Sequence, residues 1–236
     1  MGWRYELKYL VDQREHAGVR RVLRAQLLPG EFVDETGGYP VLSQYYDGPG
    51  LPNYLDKIAG IERRLKVRLR TYAWRFGPEA AWFLEAKKRE NASIAKERLE
   101  VPRGAVNPLD PASWDVLGDA GAPFLRAREL DRLEPVAQVW YQREVLVSAD
   151  GELRVTWDEM LRALYPGEAM TTSLLYDGGR AVIPDSLAVL EVKAAQTVPT
   201  WLSALVARAS LETESVSKYV RAMIVLGLSR KVSATC

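Results

Sequence analysis

Residues 63–72 read Arg63-Arg64-Leu65-Lys66-Val67-Arg68-Leu69-Arg70-Thr71-Tyr72, a run in which cations and aliphatics alternate. In an extended strand successive side chains point to opposite faces. Arg64, Lys66, Arg68 and Arg70 therefore share one face, and Leu65, Val67 and Leu69 the other. Neighbouring cations repel. A single strand of this kind reads as the solvated face of an amphipathic strand, but a sheet that repeats it needs an anionic ligand or opposing carboxylates.

The pattern does repeat. Residues 4–11 set Glu6 and Lys8 opposite Tyr5, Leu7 and Tyr9, and residues 81–89 set Phe83, Glu85, Lys87 and Arg89 opposite Trp82, Leu84 and Ala86. Residues 93–101 carry Ile94, Lys96, Arg98 and Glu100 on one face, and residues 136–149 carry Arg143 with Val139, Tyr141 and Val145. Asp150-Gly151 turns the chain into residues 152–157, where Arg154, Thr156 and Asp158 share a side. Residues 186–194 put Glu191 and Lys193 opposite Leu190 and Val192.

Around these strands the spacing predicts a further strand at 41–47 and helices at 14–28, after Pro52, at 201–209 and at 216–228. The Pro-, Gly- and Asp-rich stretch 102–123 reads as a loop with a helical turn at 114–117. Strands of the same type resume beyond it, so residues 1–230 are expected to form one domain, followed by a tail at 231–236.

The faces opposite the cations carry Leu, Val, Trp and Ala, which must be buried by helices. The economical solution is an α+β fold: an antiparallel sheet of about eight strands, closed into a tunnel with a basic interior and packed outside by helices. Its cations would be Arg4, Lys8, Arg64, Lys66, Arg68, Arg70, Lys87, Arg89, Lys96, Arg98, Arg143, Arg154 and Lys193. Arginine forks and mobile lysine charges suit several consecutive phosphates.

Composition narrows the chemistry. With 32 basic and 31 acidic residues the net charge is +1, which argues against coating by nucleic acid. The cationic faces also lack the repeated aromatics of a single-strand stacking platform. His16 is the only histidine and reads as a solvated surface residue, so no histidine-based zinc site or Ser-His triad can be assembled. Cys236, the single cysteine, cannot form an internal disulfide. No transmembrane run or signal peptide is apparent, so the expected location is the cytoplasm.

The carboxylates among the cations admit two readings. Glu6-x-Lys8, Glu85-x-Lys87 and Glu191-x-Lys193 could be ion pairs that moderate repulsion. A carboxylate among phosphates could equally hold Mg²⁺ or Mn²⁺, which needs few protein ligands there.

At these residues the chain resembles the VTC domain family, the polyphosphate polymerase domain of the vacuolar transporter chaperone complex, within the CYTH-like triphosphate tunnel metalloenzyme superfamily. The resemblance spans residues 3–228. It rests on Tyr5-Glu6-Leu7-Lys8-Tyr9, Lys66-Val67-Arg68-Leu69-Arg70-x-Tyr72, Leu84-Glu85-Ala86-Lys87, Tyr141-x-Arg143, Arg154-Val155-Thr156-Trp157-Asp158, Leu190-Glu191-Val192-Lys193 and Ser217-Lys218-Tyr219. Each motif is weak alone; their order and strand placement make the combination specific.

The resemblance implies a β-tunnel that binds ATP and polyphosphate or pyrophosphate and uses Mg²⁺ or Mn²⁺. Lys8, Arg68, Arg70, Lys87, Arg143 and Arg154 would grip the triphosphate and the growing chain, joined by Lys193 and by Lys218 from the C-terminal helix. Lys66, Arg89, Lys96, Arg98 and the Tyr141 hydroxyl would add substrate contacts, with Glu191 and secondarily Glu6 on the metal. The implied reaction passes the ATP γ-phosphoryl group to a polyphosphate end with release of ADP. Hydrolysis of triphosphates and non-catalytic polyphosphate binding are the alternatives. Superfamily hydrolases resemble a Glu-x-Glu-x-Lys pattern, whereas Arg4 stands in the first acidic place of Arg4-Tyr5-Glu6-Leu7-Lys8. The regulatory and membrane-spanning parts of the eukaryotic complex are not expected in this sequence, so coupling to translocation would need a membrane-protein partner.

Overall fold

The computed structural model describes residues 4–31, 37–73, 80–90, 93–168 and 178–229. Cys236 and the tail 231–236 lie outside them. Among the described residues ten strands form, in chain order β1 (Tyr5–Asp12), β2 (Leu28–Pro29), β3 (Tyr39–Asp47), β4 (Arg64–Thr71), β5 (Trp82–Glu90), β6 (Ser93–Val101), β7 (Glu134–Val147), β8 (Leu153–Leu164), β9 (Arg180–Ala181) and β10 (Leu187–Ala194). The α-helices are α1 (Ala17–Gln26), α2 (Pro52–Ile58), α3 (Ala122–Asp131), α4 (Thr200–Arg208) and α5 (Lys218–Val225), with a 3₁₀ helix at Pro111–Gly121. The fold is thus α+β, with antiparallel strands and helices.

The chain divides into two interleaved compact units, the first built of residues 1–40, 141–161 and 183–217 and the second of 41–140, 162–182 and 218–236. Strands β7 and β8 contribute to both. In the first unit the strand order is β1-β10-β8-β7, with β2 on β7. In the second it is β7-β3-β4-β5-β6, with β9 on the end of β8. One ladder ends at β1 and the other at β6, so the described pairings make an open path and the expected closed tunnel is not among them.

Period-2 patterning decides what each unit buries. In the first, Tyr9 and Val11 of β1, Val155 and Trp157 of β8, and Leu190 and Val192 of β10 form a core with Val19 and Leu23 of α1 and Leu202 of α4. Burying each such side chain contributes about 1.5–3 kcal/mol before the entropy of ordering is counted. Glu6, Lys8, Arg154, Thr156, Asp158, Glu191 and Lys193 occupy the alternate positions of the same strands. In the second unit Val67, Leu69, Leu84, Trp114 and Phe124 are buried, and the Tyr46 ring meets Trp114 edge-on at 4.8 Å.

Several boundaries differ from expectation. Helix α1 starts at Ala17 because the Asp12 carboxylate accepts the Arg14 and Glu15 amides and holds the preceding residues in turns. His16 is half-buried rather than fully solvated: its Nδ1 and Nε2 lie 3.1 Å from the Asp12 and Ala209 carbonyl oxygens. The stretch read as a loop to 123 contains the 3₁₀ helix, capped by Asp110, and α3 begins at Ala122. Pro123 stands in the first turn of α3, where its missing N–H costs nothing. Strand β8 runs on to Leu164.

Candidate functional site

The cations of the second unit stand in cross-strand rows. Register pairs Tyr45 of β3 with Arg68 of β4, Arg68 with Glu85 of β5, and Glu85 with Arg98 of β6. The adjacent row sets Lys66, Lys87 and Lys96 directly opposite one another. Like charges facing across strands destabilise a sheet. Farther along, Arg70 pairs with Ser43 on one side and Phe83 on the other, and Arg64 with Arg89.

Glu85 serves three guanidinium groups. Arg68 Nε donates to its Oε2 at 2.7 Å, while Arg70 Nη1 and Arg98 Nε lie 3.7 Å from its oxygens. Burial alone would raise the Glu85 carboxyl, but Arg68, Arg70 and Arg98 together bring it down to about 2. Arg70 also donates to Ser43 Oγ, and it is the only buried cation among the described residues of β4. Arg98 stacks on Phe83 at 4.1 Å from the ring centroid. Arg89 and Lys96 are exposed, and Lys218 opens α5 at intermediate burial.

Tyr45 reports the local potential. Its burial opposes ionisation, yet Arg68, Lys66 and Arg70 lower its phenol to about 8, with Arg68 Nη1 donating to the hydroxyl at 3.5 Å. A phenolate favoured in a buried position requires a strongly positive field.

The first unit gathers the other predicted residues. Lys8 sits opposite Glu191, Glu191 opposite Thr156, Glu6 opposite Lys193, and Lys193 opposite Arg154. Lys8 pairs with Glu6 and lies 3.8 Å from Glu191, and Lys193 Nζ approaches Glu191 to 2.7 Å. Burial works against the Lys8 ammonium, but Glu191 and Glu6 raise its pKa. For Lys193 burial wins and its pKa falls in spite of Glu191. An arriving phosphate would restore that lost stabilisation. Arg143 forks onto the buried Asp158 with contacts of 2.6 and 2.7 Å and lies over the Tyr141 ring at 5.2 Å. Tyr141 is itself buried.

Among the described residues no three His, Cys, Asp or Glu side chains group closely enough to enclose a metal ion. Glu191 and Glu6 nevertheless fit a divalent cation that takes most of its ligands from phosphate and water. Thr156 supports that fit: its hydroxyl is buried without a hydrogen-bond partner, across the strand pair from Glu191. Such an orphaned hydroxyl offers either a donor to a phosphate oxygen or a hard oxygen to a cation.

Sequence reasoning missed Tyr45, Ser43, Thr156 as a contact, Asp158 as the partner of Arg143, and the Asp47–Tyr219 hydrogen bond of 2.6 Å. Strand β3 is buried along its whole length and gives no alternating signal. The Thr156 and Asp158 positions were legible from their place beside Arg154.

The sequence profile described as the VTC domain matches residues 3–226. No curated protein matches the chain. Among solved structures, a proposed adenylate cyclase from Bacillus halodurans is similar at 12% identity and a TM-score of 0.50, covering 90% of this chain and 92% of that one. A proposed adenylate cyclase from Vibrio parahaemolyticus gives 14% identity and 0.45, with 91% and 94% covered. The PH1819 protein of Pyrococcus horikoshii gives 12% and 0.44, with 96% and 99% covered. The Bacillus halodurans likeness speaks to the fold alone.

Proposed function

We propose, since this chain belongs to the VTC domain family, that it is an ATP-dependent polyphosphate polymerase. The observation that carries the reading is the Lys66-Lys87-Lys96 row beside a phenol held at about 8 by the neighbouring cations. Like charges facing across strands repel, and a bound polyanion would offset that repulsion.

In this reading the strands close into the family's tunnel within one domain, and the cations line its interior. Lys8, Arg68, Arg70, Lys87, Arg143, Arg154, Lys193 and Lys218 hold ATP and the chain end, with Lys66, Arg89, Lys96, Arg98 and Tyr141 supporting them. An oxygen of the terminal phosphate attacks the γ-phosphorus, the bond to the β–γ bridging oxygen breaks, and ADP departs. The acceptor is already anionic, so no protein nucleophile is needed. Catalysis is alignment and charge stabilisation. Glu191 and Glu6 would hold Mg²⁺ or Mn²⁺, which when bound neutralises phosphate charge. Arg143, fixed by Asp158, presents a guanidinium whose orientation is set before substrate arrives.

One observation favours hydrolysis as a second reading: Glu6, Lys8 and Glu191 stand together on β1 and β10, keeping part of the acidic arrangement. Incubation with ATP and Mn²⁺ or Mg²⁺ separates the two. A ladder of polyphosphate with ADP is expected, and it should vanish in Arg68→Ala, Arg70→Ala and Glu191→Ala variants that keep the wild-type urea midpoint. Orthophosphate without chains would select the triphosphatase, and binding without turnover a polyphosphate-binding protein.

A further inference from the structure

We propose that Tyr45 and Tyr219 are positioning residues whose two rings form a shelf that holds the Lys66 ammonium where a polyanion meets the cations of the second unit. The inference rests on the reading of that cluster as a polyanion site.

Lys66 Nζ lies 5.6 Å from the Tyr45 ring centroid and 5.4 Å from that of Tyr219. The rings are 5.2 Å apart and tilted by 35°. Both tyrosines are buried, at 2% exposure each, so the shelf is rigid and largely dry. A cation over an aromatic face is attracted by the ring quadrupole, more strongly where water is excluded. Lysine otherwise loses its rotamer entropy on meeting a ligand; one held in advance gives up less.

The shelf is anchored from behind. The Tyr219 hydroxyl donates to Asp47 Oδ2 at 2.6 Å, and the same carboxylate accepts the Asn53 and Tyr54 amides at 3.0 Å at the start of α2. Tyr54 closes the arrangement, its ring edge-on to Tyr219 at 6.5 Å. Lys218 immediately precedes Tyr219, so the bond that fixes the second ring also fixes the first turn of α5. Neither tyrosine carries formal charge in the neutral state. Their contribution is to place the charges of others.

The test reads position and binding separately. Reductive ¹³C-methylation of the full chain gives each lysine a methyl resonance, and the Lys66 signal is assigned by its loss in Lys66→Met. The expected wild-type signal is shifted upfield by the two ring currents, retained in Tyr45→Phe, and moved toward the exposed lysines in Tyr45→Leu. Polyphosphate affinity should fall roughly tenfold in Tyr45→Leu, stay near wild type at pH 7 in Tyr45→Phe, and show no further loss when Tyr45→Leu is added to Lys66→Met.

An unshifted Lys66 signal in the wild type overturns the proposal without any variant. So does a Tyr45→Leu loss that persists undiminished in the Lys66→Met background, or a Tyr45→Phe chain that loses shift and affinity; in these cases the wild type still binds polyphosphate and the functional reading stands. A wild type with the shifted signal and no polyphosphate binding overturns the proposal through the reading beneath it. Should Tyr45→Leu not fold, the wild-type shift and the Tyr45→Phe comparison decide alone.

Discussion

Tyr45 converts the charge of β4 into a measurable titration. Its ordinary value of 10.0 drops to about 8 because Arg68, Lys66 and Arg70 overcome burial. The folded value is depressed, so ionisation favours the fold: the added stability is complete above the ordinary value and is lost as pH falls through about 8. Absorbance at 295 nm should show a step near pH 8 that is missing from Tyr45→Phe. The phenolate would also compete with a visiting anion for the same cations, so polyphosphate affinity should decline through that step in the wild type and not in the variant. Charged residues such as Arg68 and Glu85 could be found by alternation alone. Tyr45 could not, because its strand is buried on both sides and nothing in Tyr45-Tyr46-Asp47 says which ring faces the cations.

At the scale of elements, Asp47 joins the end of β3 to two helices. Its carboxylate accepts the Gly48, Asn53 and Tyr54 amides and the Tyr219 hydroxyl while fully buried. Replacing it with alanine leaves those donors unmet, a loss on the order of 2–4 kcal/mol. Urea denaturation of Asp47→Ala should show that shift, and hydrogen exchange should rise first at Asn53 and Tyr54. An unchanged midpoint would mean that water replaces the carboxylate without cost. The strands of the cationic faces were legible as elements because each alternates. Helix α3 was not: its Ala-Pro start follows a Gly- and Asp-rich stretch, and its apolar periodicity is weak. Pro123 was read as the end of a loop when it is the beginning of a helix.

For the whole molecule, neither compact unit is a continuous piece of chain. Residues 1–140 contain β1 and α1 but lack β8 and β10, whose Val155, Trp157, Leu190 and Val192 complete their core. In that fragment the amides of β1 and α1 should therefore lack hydrogen-exchange protection; protection there would show that β1 and α1 do not depend on the later strands. No local pattern reveals this interleaving, since the pairing of β1 with β10 depends on partners far apart in sequence. The strand faces were readable, and the order of strands was not.

The pairing of β1 with β10 also sets a schedule for biosynthesis. Tyr5–Asp12 leaves the ribosome well before its described partner, Leu187–Ala194. At about 5–20 residues per second the opening strand waits on the order of ten seconds or more for its mate. Through that interval an alternating edge with Leu7, Tyr9 and Val11 on one side is unpaired, the kind of segment that invites mispairing with another nascent chain. The charges at Glu6 and Lys8, on the other side of the same strand, oppose such association in the unfinished chain.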